Sequence, residues 1–193
     1  MSLVEGVSGM KSDILERYPR TRDGHYIIDI TAGKVSDLYD DFDKYTPYVK
    51  KELDQALAEY ITESARDLGK ENFAIHFHLV EPPDETMKAR IITSINSYFL
   101  YLKSIEIREL TRTMRISVIF FVVGVAILSL SIWMNQKLTP DAAVRSRVIA
   151  EGLTVAAWVS LWEALATFLV NWTPYTRLIK MYERIARAPV KFM

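Results

Sequence analysis

The chain has 193 residues, half of them apolar, a formal net charge of zero and no cysteine. That length holds one small domain plus a membrane segment. The missing cysteine excludes disulfide frameworks, Cys-based zinc sites, iron–sulfur clusters and thiol catalysis. The neutral total hides an asymmetry: residues 1–95 net −6 and residues 96–193 net +6. The basic half is also the apolar half, which points to a lipid bilayer and its anionic headgroups rather than to nucleic acid.

In chain order, the first twenty residues are weakly patterned. HYIIDIT, residues 25–31, alternates, is rich in β-formers and sits between Gly24 and Gly33, so it reads as a strand. The acidic segment SDLYDDFDKYTP reads as a short turn or helix followed by a loop. Its Asp37, Asp40, Asp41 and Asp43 lack the tight-turn Gly and the terminal Glu of a calcium loop, so a solvated turn is expected. From Lys51 to Leu68, the residues Leu53, Leu57, Tyr60, Ile61, Ala65 and Leu68 recur at helical spacing, and Gly69 stops the run. FAIHFHLV, residues 73–80, alternates as a second strand and ends at Pro82 and Pro83.

Asp84 is placed to cap a long helix. Ile91, Ile95, Tyr98, Leu102 and Ile105 form a seam over two heptads, expected to pack on the domain's own strands and helix, with a contact between protomers as the rival reading. Residues 1–95 thus read as a cytoplasmic α+β domain of order strand–helix–strand–helix. Two strands make a poor sheet, so a third is expected in 1–24, in 34–43 or from another protomer, which is a reason to expect a homo-oligomer. Residues 96–115 form a juxtamembrane helix that runs on without Gly or Pro.

The run Ile116–Met134 has 19 residues without a charge. At ~1.5 Å per residue it covers roughly 28 Å, close to the hydrocarbon thickness of a bilayer. A second run, 148–172, contains Glu151 and Glu163. Residues 116–134 and 148–172 are therefore expected as a transmembrane helical hairpin joined by an external loop, 135–147, and the chain is mostly helical. Trp133, Trp158 and Trp172 fit the interfacial belt. Lys and Arg flank the outer ends of the two runs nine times and the connecting loop three times, so both termini are expected in the cytoplasm. Residues 173–193, after a break at Pro174, read as a basic amphipathic helix on the inner leaflet, anchored with Trp133, Trp158 and Trp172 by Arg177, Lys180 and Arg184; packing on the acidic domain is the competing reading.

Glu163 lies nine residues before Trp172, ~13 Å along the helix from that interface. A carboxylate there costs a few kcal/mol unless it faces protein or water, pairs, or holds a proton. Ser129 and Ser131 are candidate donors to it, and Asn171 is a further intramembrane polar residue. The set reads as polar glue between helices, with an ion pathway as the alternative. On the strands, His76 and His78 share a face, as do His25 and Asp29; were those faces to coincide, the four would make a weak zinc or nickel set. No phosphate-binding glycine loop, GxSxG or HExxH occurs, so neither an enzyme nor a cofactor is expected, and nothing supports nucleic-acid binding.

Four stretches, KKELDQALAEYITESARDL, FAIHFHL, INSYFLYLKSIEIRELTR and WVSLWEALATFLVNWTPYTRLIKMYERIARAPVKF, resemble an uncharacterised family of prokaryotic two-span membrane proteins with a small cytoplasmic α/β domain and a Trp-rich second span. The resemblance implies a multi-pass protein of the inner membrane and no activity. Members of that family carry Arg-Pro-Leu-Glu where this chain has Glu163-Ala164-Leu165-Ala166, so the acid is displaced by three positions and its basic partner is missing. The outline also resembles mitochondrial-type calcium uniporters, but their Trp-Asp and following Glu-Pro are absent and Trp162-Glu163 is the only echo. The functional expectation is a homo-oligomeric, non-enzymatic scaffold that binds a protein partner, with an oligomeric ion pore as the rival.

Overall fold

The computed structural model describes residues 13–40, 47–48, 50–137 and 144–193, and the backbone alone for residues 144–147 and Asn171. Asp41 and Asp43 lie outside the described residues. The elements are β1 (Tyr26–Ala32), α1 (Gln55–Asp67), β2 (Phe73–Leu79), α2 (Glu85–Lys137), α3 (Val144–Ala186) and β3 (Val190–Phe192), with a short 3₁₀ turn at Val35–Leu38. They form two compact units. One takes residues up to Ser104 together with Ile179–Met193, the other Ile105–Leu178.

The first unit is built on a three-stranded parallel sheet of order β1-β2-β3. α1 is the crossover between β1 and β2. The connection from β2 to β3 is the whole of α2 and α3. Among the described residues the third strand is neither in 13–24 nor in 34–40: it is Val190–Phe192, paired with Ile75–Phe77. An incomplete sheet therefore no longer argues for an oligomer. The outer edge of β1 is closed locally, by Ile27 N–H donating to Pro19 O (2.8 Å) and by the Tyr60 hydroxyl donating to Asp29 O (3.2 Å), which leaves less edge to recruit another chain.

One face of the sheet carries Tyr26, Ile28, Ile30, Phe73, Ile75 and Phe77, all buried. α1 covers it with Ala58, Ile61 and Ala65, and α2 with Ile91, Ile95 and Phe99. Asp54 caps α1 by accepting from Leu57 N–H (3.0 Å), and Gly69 ends it at φ 60°, where a side chain would be strained. Asp84 caps α2, accepting from Met87 N–H at 2.6 Å. The seam expected on α2 packs into its own domain: Ile91 and Ile95 are fully buried, Tyr98 and Leu102 partly, and Ile105 is exposed.

The tail differs from the expected surface helix. α3 runs through Pro174 without a break, and its last turns belong to the first unit. Ile185 and Ala186 are buried in the core, with Met181 and Tyr182 packed beside them. The Asn96 amide donates to Ala186 O (2.7 Å), and Lys103 pairs with Glu183 (3.0 Å). Arg184, expected as a membrane anchor, instead donates to Gly69 O and Glu71 O and lies over the Phe73 ring, 5.2 Å from its centroid. These contacts hold the tail against the start of β2.

In the second unit α2 and α3 run antiparallel. The contacts pair Ser117 with Ala164 and Ser131 with Ala150: each serine hydroxyl donates across the interface to the alanine carbonyl, at 2.7 and 3.1 Å. The buried residues here are small and spaced by seven: Ser117, Gly124 and Ser131 on α2, Ala150, Ala157 and Ala164 on α3. Small side chains let two backbones approach closely, the packing mode of helices in lipid. Both helices contain stretches long and apolar enough to cross a membrane.

Candidate functional site

Ser129, Ser131 and Glu163, singled out in the apolar helices, do not come together. The Ser129 hydroxyl donates to Val125 O on its own helix (2.8 Å). Ser131 is buried against Ala150 O and the Thr154 hydroxyl (2.6 Å), so it fastens the two helices to each other. Neither serine reaches Glu163. That residue is exposed on α3 beside Trp162, one position before the buried Ala164, and makes no hydrogen bond or ion pair among the described residues. Asn171 lies outside the described side chains. Trp133, Trp158 and Trp172 are exposed, as are Arg177 and Lys180.

The other concentration of polar groups is on the second face of the sheet. Alternation along the strands places Asp29 and Thr31 from β1, His76 and His78 from β2, and Lys191 from β3 on that face. His78 Nε2 is 3.2 Å from Asp29 Oδ1; both side chains are nearly half exposed, so the pair contributes little to stability. His76 is buried, and its Nε2 has no hydrogen-bond partner among the described residues. Burial holds its imidazole below the ordinary histidine range; Asp29 opposes that shift, while Lys191 and His78 reinforce it. His25 stands apart, lining a cavity with Lys180 and Arg187. The weak histidine–aspartate metal set that the spacing allowed is not assembled: among the described residues no three His, Asp or Glu side chains are grouped to hold an ion.

Sequence reasoning missed two features. The seven-residue spacing of small residues was present in the chain, but each lies in an apolar run that hides it. The placement of Lys180, Glu183, Arg184 and Arg187 around the start of β2 depends on the tail returning to the sheet, which no local pattern announces. No family model, curated protein or solved structure matches the chain.

Proposed function

We propose that this is a self-associating protein of the prokaryotic inner membrane, a non-enzymatic scaffold whose α/β unit faces the cytoplasm and binds a protein partner. Membrane residence is supported by the apolar windows of α2 and α3, which are only 17% and 11% buried. A core helix of a soluble protein is mostly covered, and so large an exposed apolar surface is unstable in water. The inward orientation rests on the nine-to-three bias of Lys and Arg.

The observation that carries self-association is Glu163. It points away from the helix pairing, without a partner, from a surface that lipid would otherwise cover. A carboxylate in that position lowers its cost by meeting protein, and a second copy supplies it. Native mass spectrometry of the full chain in mild detergent tests this. A single oligomer is expected for the native chain, weakened by Glu163→Leu; a monomer in both refutes it. The same outward placement favours a second reading, in which a ring of copies turns the carboxylates into a shared lumen. Ion flux into liposomes that is at background for both the native chain and Glu163→Gln ends that reading.

A further inference from the structure

A cavity of about 540 Å³ opens in the first unit where the last turns of α3 meet the start of β2. Its walls include His25, Asn72, Phe73, Lys180, Glu183 and Arg187. The size is that of a site for a small organic ligand. The charge in it is unbalanced. Lys180 makes no hydrogen bond or ion pair among the described residues. The one acid, Glu183, is already engaged on both oxygens, by Arg187 at 2.6 Å and by Lys103 at 3.0 Å. It therefore cannot also neutralise Lys180, and Arg187 keeps donors to spare, since a guanidinium has five. Arg184 also lines the cavity, and it donates to Gly69 O and Glu71 O, which holds that wall in place.

We propose that this cavity binds a phosphate ester. Lys180 lies on α3 and Arg187 directly after its last residue, with the Arg187 N–H still donating to Glu183 O (3.2 Å); the two are seven residues, roughly 10 Å, apart along that stretch and both line the cavity, within reach of a group with several anionic oxygens. The Asn72 amide and the His25 imidazole add donors. Phe73 and Pro189 offer apolar surface to the carbon skeleton that carries the phosphate. Two sources share that chemistry: the headgroup of an anionic glycerophospholipid, since Lys180 follows Trp172 by eight residues, and a soluble phosphate ester.

The experiment uses the full chain in nanodiscs or detergent. One arm counts phosphatidylglycerol retained against phosphatidylcholine by native mass spectrometry. The other measures binding of glycerol 3-phosphate by calorimetry. Lys180→Gln with Arg187→Gln is expected to cut retention or affinity about tenfold or more, the scale of lost hydrogen bonds between charged groups. Lys180→Gln alone, which breaks no hydrogen bond or ion pair among the described residues, is expected to lose several-fold, and Arg177→Gln, outside the cavity, less than about twofold. Loss in the lipid arm alone assigns the headgroup; loss in the soluble arm assigns a soluble ester. No binding in either arm, or an equal loss in Arg177→Gln, overturns the proposal.

Discussion

The closeness of α2 and α3 can be tested with two glycine substitutions of opposite sign. A Cβ added at Gly124 would lie 2.9 Å from Leu161 Cγ, 3.0 Å from its Cδ2 and 3.2 Å from its backbone nitrogen. The leucine side chain can swing aside, but the backbone can only move with the helix, so Gly124→Ala must push the two axes apart. Overpacking of that kind costs about 1–3 kcal/mol. Separation also stretches the Ser117–Ala164 and Ser131–Ala150 hydrogen bonds, each contributing about 0.6 kcal/mol if it resembles the average interhelical bond in a membrane. Against this, alanine is the better helix former by about 1 kcal/mol. Gly152, on α3, has nothing among the described residues within 4 Å of an added Cβ, so Gly152→Ala gains the propensity without the clash. The difference between the two variants cancels the propensity and isolates the packing, about 1–3 kcal/mol in favour of Gly152→Ala. Because the chain has no cysteine, a single disulfide between Ser117→Cys and Ala164→Cys reports helix pairing without background. The crosslinked fraction is followed against rising SDS in each glycine variant. Gly124→Ala should lose crosslinking at lower SDS than the parent, and Gly152→Ala at equal or higher SDS. Coincident curves for the two would refute the close approach.

Two further substitutions probe the first unit. Ile185→Ala removes a fully buried side chain that joins the tail to the core, and should cost about 2–5 kcal/mol. Amide hydrogen exchange should show Val190–Phe192 losing protection before β1 does; equal loss across the sheet would contradict a separable tail. His76 sets a pH dependence. Its folded pKa is lowered by burial, so the unfolded chain takes up a proton that the folded chain resists. The stability it contributes is complete above the ordinary histidine pKa of 6.5 and falls as the pH drops below it. The urea midpoint of the native chain should therefore decline between pH 7.5 and 5.5, and His76→Gln should flatten the decline; an unchanged slope would count against a buried neutral imidazole.

Much of the fold was legible because it is written locally. The alternation of β1 and β2, the cap at Asp84 and the stop at Gly69 each depend on a few neighbouring residues. β3 was not legible: Val190-Lys191-Phe192 is too short to show a period, and it is a strand only because Ile75–Phe77 offer it an edge. The tail was ambiguous for a related reason. Leu178, Ile179, Met181, Tyr182 and Ile185 make an apolar face that would suit lipid or a protein core equally, and only the burial of Ile185 separates the two. At Glu163 the sequence showed an acid in an apolar run but not which way it points. That direction follows from Ala157 and Ala164 taking the paired face, and the alanines could be recognised as an interface only once their serine and glycine partners on α2 were known.

The sheet also constrains how the chain can enter a bilayer. β2 and β3 are hydrogen-bonded neighbours, yet α2 and α3 both lie between them in the chain. If both helices cross, the chain returns to the side it left and the sheet can close. If only one crosses, Val190–Phe192 is stranded on the far side and Ile75–Phe77 lose their partner. For a chain that lies in a bilayer, closure of the sheet therefore requires an even number of crossings, independently of any charge rule. It also orders assembly: β1, α1 and β2 can pair as soon as they are made, whereas β3, Ile185 and the Arg184 contacts must wait for both helices to be in place.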